Sequence, residues 1–311
     1  MKKSGRAPAP PAAGEKAGFV ALIGRPNAGK STLLNRLVGE KLAIVSPRPQ
    51  TTRNRITGVR NLGRTQIVFV DTPGLHPVAG KLGEFMMETV ERALEDVDLA
   101  CAVVDATDRD HPDPLLCETL VGSRAATAFC LLNKVDRVRP RSRLLPVIET
   151  WQRAYAFREI MPVSALDGTN CDRLLELIAD AMPAHPAYFP PETSTDQPET
   201  FYVAEVVREK IFLLTHEEVP YAAAVQVDDL SERREPPRLD IRATVFVERD
   251  SQKAIVIGRG GSMLKRIGMA ARQELEAFFG IKVFLGLTVQ VRHGWRKDER
   301  ALREFGFRLT S

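Results

Sequence analysis

Cysteine is scarce in this chain. Its four residues, Cys101, Cys117, Cys130 and Cys171, form no CxxC pair, which excludes a paired-thiol zinc or redox motif. Three lie in or beside apolar segments and read as small buried hydrophobes in a reducing compartment. No apolar run reaches the length of about 18 residues that a membrane-crossing helix needs. Residues 1–16 are rich in Ala and Pro and lack the apolar core of a secretory leader, so they read as a disordered tail. A cytoplasmic location is expected. Acidic residues are missing from 41–64, where six Lys and Arg stand, and are few in 251–311, where 12 Lys and Arg face 5 Asp and Glu. In a chain of net charge +4 this uneven placement points to contact with a polyanion. At 311 residues, two domains are expected.

The most informative stretch is Gly24-Arg25-Pro26-Asn27-Ala28-Gly29-Lys30-Ser31, followed by Thr32. An apolar run, Phe19–Ile23, precedes it and reads as a buried strand. Apolar residues at 33, 34, 37 and 38 follow at helical spacing. Strand, glycine-rich loop, helix is the setting in which GxxxxGK[ST] binds phosphate. The glycines let successive backbone N–H groups turn toward an anion, and the helix N-terminus adds partial positive charge. Lys30 is placed for the β- and γ-phosphates, and the Ser31 hydroxyl for Mg²⁺.

Further motifs follow in order, all but the first at the end of a buried strand. After the first helix, a polar and basic loop carries Pro49-Gln50-Thr51-Thr52-Arg53. A Thr here can sense the γ-phosphate through Mg²⁺, with Thr52 the first choice and Thr51 the second. Strand 66–70 ends in Asp71-Thr72-Pro73-Gly74, where Asp71 can hold Mg²⁺ and the Gly74 N–H can meet the γ-phosphate. Leu75–Gly83 then reads as a mobile second switch, with a helix over 84–94. Strands are also expected at 99–104, 128–132 and 160–163. The fourth ends in Asn133-Lys134-Val135-Asp136. Asp136 can accept from guanine N1–H and the N2 amine, a pattern that adenine lacks. Asn133 can meet the other edge of guanine or brace the phosphate loop, and the Lys134 stem can lie along the base. Ser164-Ala165-Leu166 offers backbone N–H groups to guanine O6. Residues 171–182 close the unit as a helix. This is an α/β domain over 17–182 with a mainly parallel sheet and its ligand at the strands' C-terminal ends.

These motifs together resemble the P-loop GTPases of the translation-factor-like class. The resemblance implies GTP/GDP and Mg²⁺ as cofactors. Lys30, Thr52 and Gly74 would act on the γ-phosphate, and Ser31, Thr52 and Asp71 would hold the metal. Leu75 stands where Ras-like members carry the Gln that orients the attacking water, so slow hydrolysis is expected.

Residues 183–200 hold a proline-rich connector. A smaller α+β unit over 201–311 then reads as an amphipathic helix (201–215), strands 222–227 and 239–248 joined by a polar turn at 228–237, a helix reaching about 279, and a strand at 282–291. Between them lies Ile255-Val256-Ile257-Gly258-Arg259-Gly260-Gly261, with Lys265 and Arg266 beyond. Helix, two strands, helix, GxxG, helix and strand resemble the type II KH domain, whose GxxG loop clamps the nucleic-acid backbone over about four nucleotides. Gly258, Gly260 and Gly261 leave main-chain N–H groups open to phosphates, and Arg259, Lys265 and Arg266 add charge. Ile255 and Ile257 would seat bases. Trp295, Arg296, Lys297 and Arg300 either extend this surface or cap a surface helix.

A P-loop GTPase domain followed by a type II KH domain resembles the Era family of bacterial ribosome-assembly GTPases. That resemblance implies binding to 16S rRNA near its 3′ end, a role in 30S subunit maturation, peripheral contact with the inner face of the cell membrane, and a monomer. The alternatives are a constitutive RNA-binding scaffold, or a GTPase that acts on a membrane or protein partner with the KH-like domain as its docking module.

Overall fold

The computed structural model describes residues 14–76, 80–108 and 112–307. The disordered-tail expectation thus falls largely outside the described residues, as do 77–79 of the second switch. In chain order the elements are β1 (Lys16–Ile23), α1 (Lys30–Val38), β2 (Ile56–Leu62), β3 (Thr65–Asp71), α2 (Lys81–Ala93), β4 (Leu99–Asp105), α3 (Pro114–Gly122), β5 (Thr127–Asn133), α4 (Leu144–Ala154), β6 (Glu159–Pro162) and α5 (Cys171–Ala181). There follow α6 (Glu199–Leu214), α7 (Val219–Ala222), β7 (Ala224–Arg233), β8 (Arg238–Val247), α8 (Asp250–Ile257), α9 (Ser262–Phe279), β9 (Val283–Val291) and α10 (Glu299–Glu304).

β1 is apolar on both faces because it is covered on both. It lies inside a six-stranded sheet of order β2-β3-β1-β4-β5-β6, parallel except for the β2–β3 pair. Val20 and Leu22 pack with Leu33, Leu34 and Leu37 of α1 and Leu174 and Ile178 of α5. Ala21 and Ile23 point the other way, toward Val90 of α2, Leu116 of α3 and Trp151 of α4. Every parallel strand therefore ends at one rim, where the motifs sit. Cys101, Cys130 and Cys171 are buried free thiols, and burial pushes their pKa values up, Cys171 to about 11.

Several elements depart from the sequence reading. No strand was expected over 56–62, because Gly58, Arg60 and Asn61 interrupt the apolar pattern. β2 forms by antiparallel pairing along the whole of β3, from Ile56↔Asp71 to Leu62↔Thr65. α2 begins at Lys81 rather than 84, and α3 and α4 were not anticipated. The proline-rich connector is strapped to the sheet edge. The Val59 N–H donates to the Ser194 carbonyl (2.8 Å), Thr195 Oγ1 to the Thr57 carbonyl (2.7 Å), and the Tyr188 and Phe189 N–H groups to Gln66 Oε1 (2.7 and 2.9 Å). It therefore covers an edge that would otherwise stay unpaired.

The second unit is a three-stranded sheet, β7-β8-β9, with β7–β8 antiparallel and β8–β9 parallel. Val206 and Ile211 of α6, Val256 of α8 and Ile267, Ala271 and Leu275 of α9 cover one face. The turn is shorter than expected, 234–237 rather than 228–237. β7 runs on past a bulge at Val227/Asp229 as a solvated ribbon, where backbone pairing with β8 and the Arg233–Asp240 ion pair (2.9 Å) replace apolar alternation. The helix expected over 201–215 is α6, and it is buried beyond its apolar face. Its Arg208 and Glu209 are buried as well as its apolar stripe, because the first unit packs over it. Among the described residues no helix is long and apolar enough to cross a membrane.

Candidate functional site

The loop after β1 turns tightly against the sheet. Gly24 has φ +148°, and a Cβ there would lie 2.1 Å from the Val103 carbonyl oxygen. Gly29, at φ +95°, starts α1 and sits so close to Asn133 that a Cβ would meet Nδ2 at 2.2 Å. Only glycine fits either position. The first N–H groups of α1 have no helical acceptors and face the rim of the sheet. Lys30 is buried beneath this loop, donating from Nζ to the carbonyls of Gly24 (2.9 Å) and Arg25 (3.1 Å). Burial pushes its ammonium down to about 8, with Asp71 opposing the shift. The Arg25 side chain points away, with Nε donating to Asp113 Oδ2 at the start of α3 (2.8 Å).

Three oxygens converge beside the loop. Ser31 Oγ donates to Asp71 Oδ2 (2.6 Å) and lies 2.8 Å from Thr52 Oγ1. Thr51 turns instead to Ser46 Oγ (2.7 Å) and the Arg48 carbonyl (2.9 Å), so of the two candidates the structure brings Thr52 to the site. Asp71 is fully buried, and its second oxygen, Oδ1, has no hydrogen-bond partner. Burial pushes its carboxyl up to about 6, with Lys30 and the Ser31 hydroxyl opposing. Two hydroxyls, one carboxylate and an unused buried acceptor suit a small, hard divalent cation. Thr72 Oγ1 is committed to the Leu22 carbonyl (2.8 Å), so it shapes the strand end rather than facing the ligand. Gly74 packs on the loop, where a Cβ would lie 2.6 Å from the Pro26 nitrogen. The Leu75 N–H donates to the Gly24 carbonyl (3.0 Å), and its side chain is buried. The cleft of about 60 Å³ in front of the loop is walled by the loop itself and Gly74 on one side and by the segment from Ile44 to Thr52, Thr51 included, on the other.

At the base-reading end, Asn133 braces rather than faces outward. Its Nδ2 donates to the Ala28 carbonyl (2.8 Å), and its Oδ1 accepts from the Ala165 N–H (2.9 Å). Lys134, in the left-handed region at φ +65°, pairs with Asp105 (2.6 Å). Asp136 Oδ1 accepts from Ser164 Oγ (2.7 Å). Of the backbone N–H groups at 164–166 that are expected to meet guanine O6, two are engaged within the protein. Ser164 gives its N–H to the Thr169 carbonyl (3.1 Å) and Ala165 gives its own to Asn133, which leaves Leu166, itself exposed. Asp105, Ser164 Oγ and Asp113 were missed as supporting groups. Asp105 ends its strand just as Asp71 does, and that was the available signal.

The second candidate site is the loop between α8 and α9. Gly258 has φ +71°, and a Cβ would strike the Met263 backbone nitrogen at 2.7 Å. Gly260 and Gly261 also have positive φ, but nothing lies within 4 Å of an added Cβ. Arg259, Lys265 and Arg266 are exposed around them, and so is Ile255. Ile257 packs partly onto the KH core instead of standing open. Trp295 is not part of an RNA surface. It is fully buried, its Nε1 donates to the Ala222 carbonyl (2.9 Å), and it packs with Leu82 and Met86 of α2. Arg296 is held by Glu248, and Arg300 lies in the first turn of α10.

Comparison with known proteins agrees with this geometry. The sequence pattern of the family described as "50S ribosome-binding GTPase" matches residues 19–134, and that of the KH domain matches 218–296. The GTPase Era of Geobacter metallireducens is 48% identical over 293 residues, covering 94% of this chain and 98% of that one. That of Syntrophus aciditrophicus is 46% identical over 292 residues, covering 94% and 95%. A crystal structure of Era in complex with MgGDPNP and nucleotides 1506–1542 of 16S ribosomal RNA superposes with a TM-score of 0.90 at 38% identity, covering 95% of this chain and all of that one. An Aquifex aeolicus Era variant bound to GDP·AlF4⁻ superposes equally well, at 38% identity over 94% of this chain. With such identity across nearly the full length of both partners, this chain belongs to the Era family of GTPases, a P-loop GTPase domain followed by a KH domain.

Proposed function

We propose that this protein is a GTP-dependent RNA-binding switch of ribosome assembly. It binds GTP and GDP with Mg²⁺, hydrolyses GTP slowly, and holds 16S rRNA near its 3′ end while the 30S subunit matures. The observation that carries the reading is the meeting of Ser31, Thr52 and Asp71 oxygens beside a glycine cradle, with one buried carboxylate oxygen unused.

In this reading the N–H groups of 24–32 cradle the phosphates, and Ser31, Thr52 and Asp71 hold Mg²⁺. When bound, the ion neutralises charge that develops on the β- and γ-phosphate oxygens. Lys30, which donates to the Gly24 and Arg25 carbonyls at the base of the loop, is the residue that would meet the β/γ-phosphates. Gly74 offers its N–H to the γ-phosphate. Asp136 reads guanine while Ser164 orients it, Lys134 lies along the base, and the Leu166 N–H faces O6. No side chain at 75 can polarise the attacking water, because Leu75 is apolar and buried, and hydrolysis is slow for that reason. The loop 258–261, with Ile255, Arg259, Lys265 and Arg266, holds a single-stranded RNA backbone. The protein works as a monomer in the cytoplasm, with peripheral contact at the inner membrane face as its family resemblance implies.

The test is the affinity of a 16S 3′-end fragment for the protein loaded with a GTP analogue or with GDP. Tighter binding in the GTP-analogue state is expected. Equal binding would support the scaffold reading, and no RNA binding would support the docking module.

A further inference from the structure

The segment between α1 and β2 that carries Thr52 has no regular secondary structure, yet Thr51, Thr52 and Arg53 are all buried. Side chains and carbonyls of the KH unit hold this segment at several points. Lys41 Nζ pairs with Glu209 (2.9 Å) and Glu274 (2.6 Å). The Val45 N–H donates to Glu209 Oε1 (2.9 Å). The Thr51 carbonyl accepts from Arg208 Nη2 (2.5 Å). Arg53 donates to the carbonyls of Ala223 (2.8 Å), Tyr221 (2.9 Å) and Pro220 (3.3 Å), with its guanidinium near the rings of Phe212 and Trp295. Thr52 is thus flanked on both sides by residues fastened to the KH domain, while its own hydroxyl turns to Ser31.

The chemistry of these contacts is unusual for simple packing. Arg53 and Arg208 are both 3% exposed. Arg53 has carbonyl partners rather than a carboxylate, and Arg208, paired to Glu205 (2.5 Å), leaves Nη1 buried without a partner. A buried guanidinium with an unpaired nitrogen costs stability, so packing alone does not account for Arg208.

We infer that Arg53 and Arg208 are positioning residues for Thr52, and that the KH domain thereby completes the metal and γ-phosphate site of the GTPase domain. This rests on the reading of Thr52 as a ligand in the triphosphate state. Docking of the KH domain holds the segment down; undocking releases Thr52 but leaves Ser31, Asp71 and the base-reading residues in place. By linkage, a nucleotide that engages Thr52 favours the docked arrangement to the same degree.

The test uses the full chain and three variants, measuring the Mg²⁺ requirement for binding a GTP analogue and for binding GDP, together with kcat. The paired variant Arg208→Met/Glu205→Gln removes the tie without stranding a carboxylate. It is expected to raise the Mg²⁺ requirement for the GTP analogue and lower kcat, each by about tenfold, the effect of one charge-assisted hydrogen bond, with GDP binding unchanged. Arg53→Lys keeps the charge but loses the fork that spans three carbonyls, and should give a smaller shift in the same direction. Thr52→Ala is the reference. If it leaves the Mg²⁺ requirement for the GTP analogue unmoved, the reading of Thr52 fails. If Thr52→Ala shifts it but neither arginine variant does, or if GDP and GTP binding fall together in the arginine variants, the positioning role is overturned.

Discussion

The chain contains two glycine-built loops at helix N-termini, and they are made differently. In the loop before α1 the glycines are forced by the protein itself, since a Cβ on Gly24 would sit 2.1 Å from backbone at Val103. In the loop before α9 only Gly258 is confined in this way; Gly261 opens onto solvent. The first cradle is part of the core and is shaped before any ligand arrives. The second is a surface device whose glycine at 261 matters to what approaches it. One loop therefore couples ligand binding to fold stability, and the other does not.

The strongest way to break this contrast is Gly24→Ala. Guanine-nucleotide binding should be lost, and stability should fall by about 1–3 kcal/mol for a forced overpacking, read by thermal denaturation; an unchanged melting temperature would show that the loop adapts. Asp136→Asn comes next. Each charge-assisted hydrogen bond lost to guanine is worth about tenfold to a hundredfold in affinity, with preference moving from GTP to XTP and the fold intact. Gly261→Asp is the matching change in the second loop. RNA affinity should fall by about tenfold to a hundredfold, while nucleotide binding stays as it was and stability falls only by the cost of one left-handed residue, about 1 kcal/mol. A melting temperature that fell as in Gly24→Ala would erase the distinction between the loops.

The smallest effect expected is with pH. Asp71 has its folded pKa raised to about 6 from 3.8, chiefly by burial. Its protonated form is the favoured one in the fold, so its contribution to stability without metal is full below the unfolded value and is lost as pH rises through about 6. Metal needs the ionised form, so Mg²⁺ affinity should drop by about tenfold per unit below pH 6. The RNA loop, residues 255–266, holds no Asp, Glu or His, so RNA affinity should stay flat over the same range.

The first loop and its partner motifs were legible in the sequence because fixed residue types at strand ends carry the chemistry directly. Asp71, Asn133 and Asp136 needed no knowledge of packing. What escaped the sequence depended on distant parts of the chain. β2 exists because β3 lies beside it, and Ile56 to Leu62 alone does not alternate. Trp295 looked like a surface aromatic among basic residues, yet it is core because α2 of the other domain packs on it. α6 looked amphipathic, because nothing in Arg208 or Glu209 announces that the segment around Thr52 will cover them. Asn133 had two plausible roles, and only the approach of Ala28 and Ala165 assigns it the bracing one.

The most direct test of two separate anion cradles on one chain is a single titration. A 16S 3′-end RNA fragment is added to the protein saturated with Mg²⁺ and a fluorescent GTP analogue. RNA should bind while the nucleotide stays bound. Displacement of the nucleotide by RNA, or failure of the analogue to bind at all, would contradict the account.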